Sequence, residues 1–130
     1  MSFLKKYSTI KYLIDIHRDS ATIDKTLYEQ DGKSYAKVLF VVGLEHDNYE
    51  PNLKLATELN DKLKEKYPGI SRGISKKSGP NVNGIYNQDL SENSMLIEIG
   101  GVDNDIEQVN NTVNALSEIL TTYIKEKENV

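Results

Sequence analysis

The fold class depends most on one apolar stretch in the middle of the chain, AKVLFVVG, which runs from Ala36 to Gly43. Its second half is almost entirely apolar and rich in β-branched residues, so it predicts a strand that is covered on both faces. The segments on either side of this strand must supply what covers it.

Three signals precede this stretch. Tyr12–Ile16 is a short apolar run followed by the polar cluster HRDS at residues 17–20, as expected for a buried strand whose carboxyl end carries functional groups. Asp31 and Gly32 stand between strand-like residues and predict a two-residue hairpin turn, because both central positions need positive φ. The spacing of apolar residues in Phe3–Tyr7 fits the last turn of a helix.

A helix and a short strand follow. The turn at Asn48–Pro51 starts a helix that must end near Tyr67–Gly69, because proline and glycine both break helices. Ile70–Ile74 is predicted as a strand, and Lys76–Asn87 as a polar loop. The apolar stripe of the helix consists of Leu55, Ala56, Leu59 and Leu63.

The last part of the chain predicts one more strand and one more helix. Met95–Gly100 is the strand, with an acidic residue in its middle, and the helix runs from about Asp103 to Lys125 with acidic residues at its positive end. The predicted buried face of this helix consists of Val109, Val113, Leu116, Leu120 and Ile124. The resulting order is strand, hairpin, strand, helix, strand, strand, helix. It predicts an α/β fold with a mixed β-sheet and helices packed on it.

Composition bounds the class of protein. The chain has 130 residues, enough for one compact domain, and residues 1–130 are predicted to form a single unit. The absence of cysteine excludes a disulfide scaffold, a thiol nucleophile and cysteine-ligated metal sites. A net charge of −4 with 28% charged residues does not indicate a nucleic-acid binder or a polybasic membrane anchor. No apolar run reaches the roughly 18 residues of a membrane span, and no signal peptide opens the sequence.

Two ionisable residues have the context of functional groups. His17 lies in the polar cluster at a strand end, where α/β folds place ligand sites. It fits a metal ligand oriented by Asp15 or Asp19, and it fits equally an exposed histidine with local hydrogen bonds. Glu98 lies inside an apolar strand. It is either a buried carboxyl group with a raised pKa, suited to acid–base chemistry, or a side chain that points to solvent.

Other candidates carry weaker signals. Arg72, between Gly69 and Gly73, fits either a residue that holds a carboxylate or sugar, or a surface arginine on an edge strand. The stretch from Tyr86 to Ser91 fits a substrate groove or a hydrogen-bonded turn. His46 lies in a polar loop, where a solvated histidine is the ordinary interpretation.

Five segments together resemble one family in their order and spacing. The block DIHRDS followed by YNQDL is the most specific part of the match, which extends from about Tyr7 to Tyr123. The sequence resembles the catalytic domain of the stage II sporulation protein P family, enzymes that degrade peptidoglycan during engulfment of the forespore and are related to zinc-dependent N-acetylmuramoyl-L-alanine amidases. The segments are IDIHRDS (14–20), VLFVVG (38–43), YPGISRGI (67–74), YNQDL (86–90) and LIEIG (96–100).

The resemblance implies roles for individual residues. His17 matches the second zinc-binding histidine of the amidase fold. Glu98 matches the catalytic glutamate that polarises a zinc-bound water, whose pKa zinc lowers to roughly 7. From residue type and position, Arg72, Arg18 and Asn87 are expected to contact peptide or glycan. The family also implies a location outside the cytoplasm, in the cell wall or intermembrane space, together with a companion glycan-cleaving enzyme and a membrane partner.

One departure from the family pattern concerns the metal. In the related amidases, two histidines and a glutamate hold the zinc, and two of these ligands precede the position of His17. The sixteen residues before His17 contain no histidine, and their only acidic residue is Asp15. The resemblance therefore implies an amidase-like (phosphorylase/hydrolase-like) fold that lacks its amino-terminal strands, with an incomplete Zn²⁺ site. The alternative is a non-catalytic module that retains the groove and binds peptidoglycan or a partner protein.

Overall fold

A computed structural model describes residues 12–44, 49–77 and 94–128 of the chain. The predicted helical turn at Phe3–Tyr7, the loop residue His46 and most of the predicted loop at 76–87 lie outside these residues. In chain order the elements are β1 (Leu13–Asp19), α1 (Ile23–Thr26), β2 (Leu27–Gln30), β3 (Lys33–Ala36), β4 (Val38–Gly43), α2 (Tyr49–Lys66), β5 (Ser71–Lys77), β6 (Ser94–Gly101) and α3 (Ile106–Glu128). Within the described ranges, no helix has the length and hydrophobicity needed to span a bilayer.

Two sheets account for the described strands. Four strands form a mixed sheet in the order β1-β6-β4-β5, in which β1 is parallel to β6, β6 is antiparallel to β4, and β4 is parallel to β5. β2 and β3 form a separate antiparallel hairpin. Its turn residues Asp31 and Gly32 have φ values of 51° and 80°, as predicted for this dipeptide. The predicted mixed α/β architecture is confirmed.

The core lies between one face of the large sheet and the two long helices. Val38, Phe40 and Val42 project from alternate positions of β4 and are at most 1% exposed. They belong to one apolar cluster with the predicted α2 stripe, whose members Leu55, Ala56, Leu59 and Leu63 are all buried. The helices therefore cover the face from which these three strand residues project, and the core fixes the position of the four strands.

Two predicted strand ends are wrong. β1 continues past Ile16 to Asp19 because β6 pairs with it beyond that point, with His17 opposite Glu98. β5 continues past Ile74 to Lys77, so Lys76 and Lys77 are strand residues instead of loop residues. They pair with Val42 and Gly43 of β4, and this ladder provides backbone hydrogen bonds that a local sequence pattern does not reveal.

The predicted buried face of α3 is only partly correct. Leu116 is buried, but Val113 is 38% exposed. The fully buried positions are Thr112, Ala115, Leu116, Ile119 and Tyr123. The helix is rotated in this way because Thr112 turns inward and donates a hydrogen bond to the Ala36 carbonyl at 2.6 Å. The amino-terminal end of α3 is closed by a reciprocal pair, in which the Gln108 amide donates to Asp105 and the Asp105 amide donates to the Gln108 side chain.

Candidate active site

A polar cavity lies on the sheet face opposite the long helices. Its volume is about 570 Å³, and it is lined by side chains from all four strands of the large sheet. Leu39, Val41 and Leu96 contribute apolar surface. The polar and charged lining residues are His17, Asp19, Arg72, Ser75, Lys77 and Glu98. The cavity therefore gathers acidic, basic and hydroxyl groups over an apolar floor.

His17 and Glu98 face each other on adjacent strands. They are paired in the register of β1 and β6, so their side chains leave the sheet side by side on the same face. Both line the cavity. The roles that the family resemblance implies for His17 and Glu98 require these two side chains to meet in one cavity. They do meet in one cavity, which extends over the sheet face that neither long helix covers and that is called the open face below.

Glu98 is the acid in the centre of the site. It is half-buried, and loss of water around it raises the pKa of its carboxyl group above the ordinary value. The negative charge of Asp19 raises the pKa of Glu98 further, while Arg72, His17 and Lys77 act in the opposite direction. A carboxyl group in such surroundings can exchange a proton closer to neutral pH than an exposed one.

Asp19 and Arg72 form an ion pair across the cavity. Arg72 Nη1 donates to Asp19 Oδ2 at 2.5 Å, and the two side chains are 24% and 23% exposed. The other oxygen of Asp19 accepts the backbone amides of Ser20 at 2.6 Å and Ala21 at 3.3 Å. The Arg72 hydrogen bond is the main reason that the pKa of Asp19 lies below its ordinary value. Asp19 is therefore an ionised carboxylate held by Arg72 and two backbone amides, instead of the residue that orients the His17 ring, as considered from the sequence.

The remaining predicted site residues do not all reach the cavity. Arg18 is exposed, and because it lies between His17 and Asp19 on β1, its side chain leaves the strand on the other side. The structure therefore does not place Arg18 with the other candidates. Asn87 lies outside the described residues. His17, Arg72 and Glu98 are the predicted site residues that the structure brings together.

Sequence reasoning missed the part that Asp19 and Lys77 play in this cavity. The signal for Asp19 is present in the sequence, because it lies two positions after His17 in a strand and residues i and i+2 share a face. Lys77 carried no such signal, since its stretch was predicted as a loop.

The described residues do not form a complete zinc site. Among them, no group of three or more His, Cys, Asp or Glu side chains is arranged to hold a metal ion. Catalytic zinc sites in proteins ordinarily have three protein ligands and one open position. His17 could supply one ligand, but Asp19 is already held by Arg72 and two backbone amides.

The fold and the cavity define a class: a mixed α/β protein with a cluster of titratable groups on the sheet face that neither of its long helices covers. The family model described as stage II sporulation protein P matches residues 1–121. The chain is also 42% identical over 127 residues to the stage II sporulation protein P of Bacillus subtilis (strain 168), a match that covers 98% of this chain and 32% of that protein. The chain belongs to the stage II sporulation protein P family of sporulation proteins.

The match to the Bacillus subtilis protein covers very different fractions of the two proteins. This chain spans about a third of the length of the curated relative that it matches. No solved structure matches the chain. The family predicted from the five sequence segments is confirmed, while the relationship to amidases remains a prediction.

Proposed function

We propose that this chain carries part of the active site of a peptidoglycan hydrolase, an N-acetylmuramoyl-L-alanine amidase that acts in sporulation. The observation that supports this most is the register of β1 and β6, which sets His17 beside Glu98 in one cavity. Membership of a sporulation family supports the biological setting. In this proposal the chain corresponds to a carboxy-terminal part of a single catalytic domain.

Glu98 is the proposed general base and acid. Amide hydrolysis requires that a water molecule lose a proton as its oxygen attacks the carbonyl carbon, and that the departing nitrogen gain one. Glu98 takes the first proton and returns it to the amine as the carbon–nitrogen bond breaks. Its raised pKa suits both halves of this cycle, because the carboxyl group must be neither too weak a base nor too weak an acid.

Arg72 is the proposed substrate-binding group. Its guanidinium lines the same cavity as Glu98 and has five N–H donors in a planar fork, of which the contact with Asp19 uses only part. A peptide attached to the glycan chain offers carbonyl and carboxylate oxygens that such a fork can bind. Arg18 and Asn87 remain proposals for contacts with substrate.

Zinc dependence is a separate part of the proposal. His17 would be one ligand, and zinc, where it is bound, supplies activation of the attacking water. The described residues do not provide the two further ligands, so a complete site needs groups from outside them. The family resemblance also supports a setting outside the cytoplasm, with a companion glycan-cleaving enzyme and a membrane protein as partners.

The lack of three arranged metal ligands among the described residues favours a second candidate. A non-catalytic module that binds peptidoglycan or a partner would retain the cavity and Arg72 without three metal ligands in the described residues. The first candidate hydrolyses bonds in peptidoglycan, whereas the second binds without hydrolysis.

Digestion of purified peptidoglycan tests the first candidate. The chain is incubated with peptidoglycan in zinc-containing buffer and in buffer with a chelator, and mass spectrometry identifies the fragments. An amidase releases stem peptides with a free amino-terminal alanine. Cleavage of peptide cross-links instead yields fragments in which the stem peptide is still attached to the glycan. We expect Glu98→Gln to abolish release and Glu29→Gln, at an exposed acid of the hairpin, to leave it unchanged. Sedimentation with peptidoglycan but no release would support the binding module.

Calorimetric titration with zinc tests the metal separately. Sub-micromolar binding that is lost in His17→Ala supports a complete site containing His17. Equal binding by the chain and the variant would exclude His17 as a ligand.

A further inference from the structure

The ion pair between Asp19 and Arg72 joins the two outer strands of the described four-stranded sheet. Asp19 ends β1 and Arg72 lies near the start of β5, at opposite ends of the order β1-β6-β4-β5. Three strand spacings of about 4.8 Å separate such strands in a flat sheet. Arg72 therefore extends over the open face, above β4 and β6, instead of lying along its own strand.

Both ends of this contact lie next to β-bulges. In β5, the step from Ser71 to Ile74 is opposite the shorter step from Val38 to Phe40, which leaves an extra residue beside Arg72. Gly73 in this bulge has a φ of 99°, a conformation that side chains rarely allow. Bulges redirect a neighbouring side chain and increase the local twist, and this one directs Arg72 over the cavity.

The second bulge lies in β6 opposite Asp19. His17 pairs with Glu98 and Asp19 with Gly101, so three steps of β6 match two of β1. The intervening Gly100 has a φ of 64°, and a Cβ atom there would come within 2.5 Å of Asn104 Oδ1. Asn104 accepts the Gly101 amide at 2.7 Å and thereby fixes the bulge.

Asp19 is itself held rigidly. Its Oδ1 atom accepts the backbone amides of Ser20 and Ala21, which leaves Oδ2 directed at Arg72. A carboxylate anchored by two backbone donors loses less conformational freedom when it binds a third, so it is a good support for a long side chain.

We propose that Asp19 is a positioning residue, which holds the Arg72 guanidinium over the cavity so that its remaining N–H donors bind a carboxylate of the substrate peptide. The planar fork of arginine matches the two oxygens of a carboxylate, and Lys77 adds a second positive charge to the same cavity. Pre-orientation of the guanidinium reduces the ordering that binding would otherwise require. This inference rests on the proposed function, because that function supplies the peptide, and it adds that the site distinguishes acidic stem peptides from amidated ones.

Peptide binding by variants of Asp19 and Arg72 tests the proposal. The probe is a synthetic stem peptide with free carboxylates, compared with the same peptide amidated, and chemical-shift titration by NMR measures affinity. Asp19→Asn keeps an oxygen for the Ser20 and Ala21 amides but removes the charge that holds Arg72. We expect it to weaken binding of the acidic peptide about tenfold, and we expect the control Asp61→Asn, at an exposed position of α2, to change nothing.

A double-mutant cycle separates positioning from a structural role. If Asp19 acts through Arg72, then Asp19→Asn has no further effect in the Arg72→Gln background. An equal loss in both backgrounds would overturn the proposal, as would unchanged binding by Asp19→Asn or equal affinity for the acidic and amidated peptides. If the unchanged chain binds neither peptide, the proposed function fails, and the positioning of Arg72 by Asp19 is then decided by the exchange measurement alone.

A measurement without substrate keeps the two failures distinguishable. The Nη1–H signals of Arg72, assigned by their loss in Arg72→Gln, should exchange slowly with solvent in the unchanged chain and at least tenfold faster in Asp19→Asn, because Nη1 is the donor to Asp19. Equal exchange rates would overturn the positioning role whatever the substrate proves to be. If Asp19→Asn fails to fold, Arg72→Lys replaces it, since lysine keeps the charge without the fork and should still lose the preference for the acidic peptide.

Discussion

The two faces of the four-stranded sheet differ in what they bury, and β4 shows the difference residue by residue. Val38, Phe40 and Val42 project toward the helices and are at most 1% exposed. Leu39 and Val41, between them in sequence, line the polar cavity on the other face. The side chains of neighbouring residues in one strand therefore belong to a dry core and to a candidate active site.

This division separates stability from chemistry. The helix-covered face holds most of the buried apolar side chains and therefore contributes most of the hydrophobic stabilisation. On the cavity side, Val41 and Leu96 are the buried apolar residues, each 4% exposed. The open face can then hold Asp19, Arg72 and Glu98, which would be strongly unfavourable in the core. Substitutions on the two faces should accordingly differ in how much they lower the free energy of unfolding.

The largest difference is expected within β4. Phe40→Ala removes a ring from the core and should lower the free energy of unfolding by about 3–5 kcal/mol. Leu39→Ala removes a half-buried side chain from the cavity floor and should lower it by only about 1 kcal/mol. Urea denaturation monitored by circular dichroism gives both values. Equal losses would mean that the open face is as important for stability as the covered one.

The bulge glycines are expected to have the next largest effects. Gly73→Ala meets no neighbouring atom but forces alanine to a φ of 99°, which should cost about 1–3 kcal/mol. Gly100→Ala adds contacts at 2.5 Å with Asn104 Oδ1 and 2.8 Å with the Ala36 Cβ, so it should cost more. Thermal unfolding of the two variants measures the difference. A larger loss for Gly73→Ala would show that strain, and not the close approach, dominates at these positions.

The sequence predicted the core better than the site, and β1 explains why. The apolar pattern of this strand stops at Ile16, so the polar residues after it were expected at the strand end. Only the partner strand β6, about 80 residues later in the chain, shows that His17 and Asp19 continue the ladder. Local patterns report which residues avoid water, and they do not report which distant strand provides hydrogen bonds.

The same limit applies to the ion pair and to α3. Asp19 and Arg72 are 53 residues apart in sequence, and two bulges are needed to bring them together. For α3, hydrophobicity favoured Val113 over its neighbour Thr112, but the Thr112 hydroxyl meets the Ala36 carbonyl and is fully buried. A buried hydrogen bond of this kind is specified by the tertiary structure, and the periodicity of one helix does not contain it.

Two hydroxyl groups, that of Thr112 in the core and that of Ser75 in the cavity, provide the third comparison. Thr112→Val keeps the shape of a fully buried side chain but removes its hydrogen bond to the Ala36 carbonyl, and should cost about 1–2 kcal/mol. Ser75→Ala, in the cavity, should change the free energy of unfolding by less than about 0.5 kcal/mol. Urea denaturation of both variants measures the contrast, which would disappear if solvent reached the Thr112 site.

The smallest effect concerns a carboxyl group between the two long helices. Glu58 of α2 accepts a hydrogen bond from Tyr123 of α3 and lies 3.5 Å from Lys127 Nζ. These contacts, the Tyr123 bond first, lower the pKa of Glu58 below its ordinary value of 4.5. Burial, and after it the hydrogen bond to Glu58, raises the pKa of Tyr123. A folded-state pKa below the unfolded value means that the contribution of Glu58 to stability is complete above about pH 4.5 and is lost as the pH falls through the folded-state pKa.

Glu58→Gln should therefore flatten the acid side of the stability curve. Its cost near neutral pH should be less than about 1 kcal/mol, because the Glu58 side chain is 29% exposed and solvent screens its charge. Urea denaturation between pH 3 and pH 7 should show the parent chain losing more stability than the variant below about pH 4.5, with Glu65→Gln, at an exposed position of α2, behaving like the parent. A variant whose curve stays parallel to that of the parent would show that the contact with Tyr123 does not persist in solution. Since Glu58 lies on the helix side and outside the polar cavity, this change should leave peptide binding at the open face unaltered.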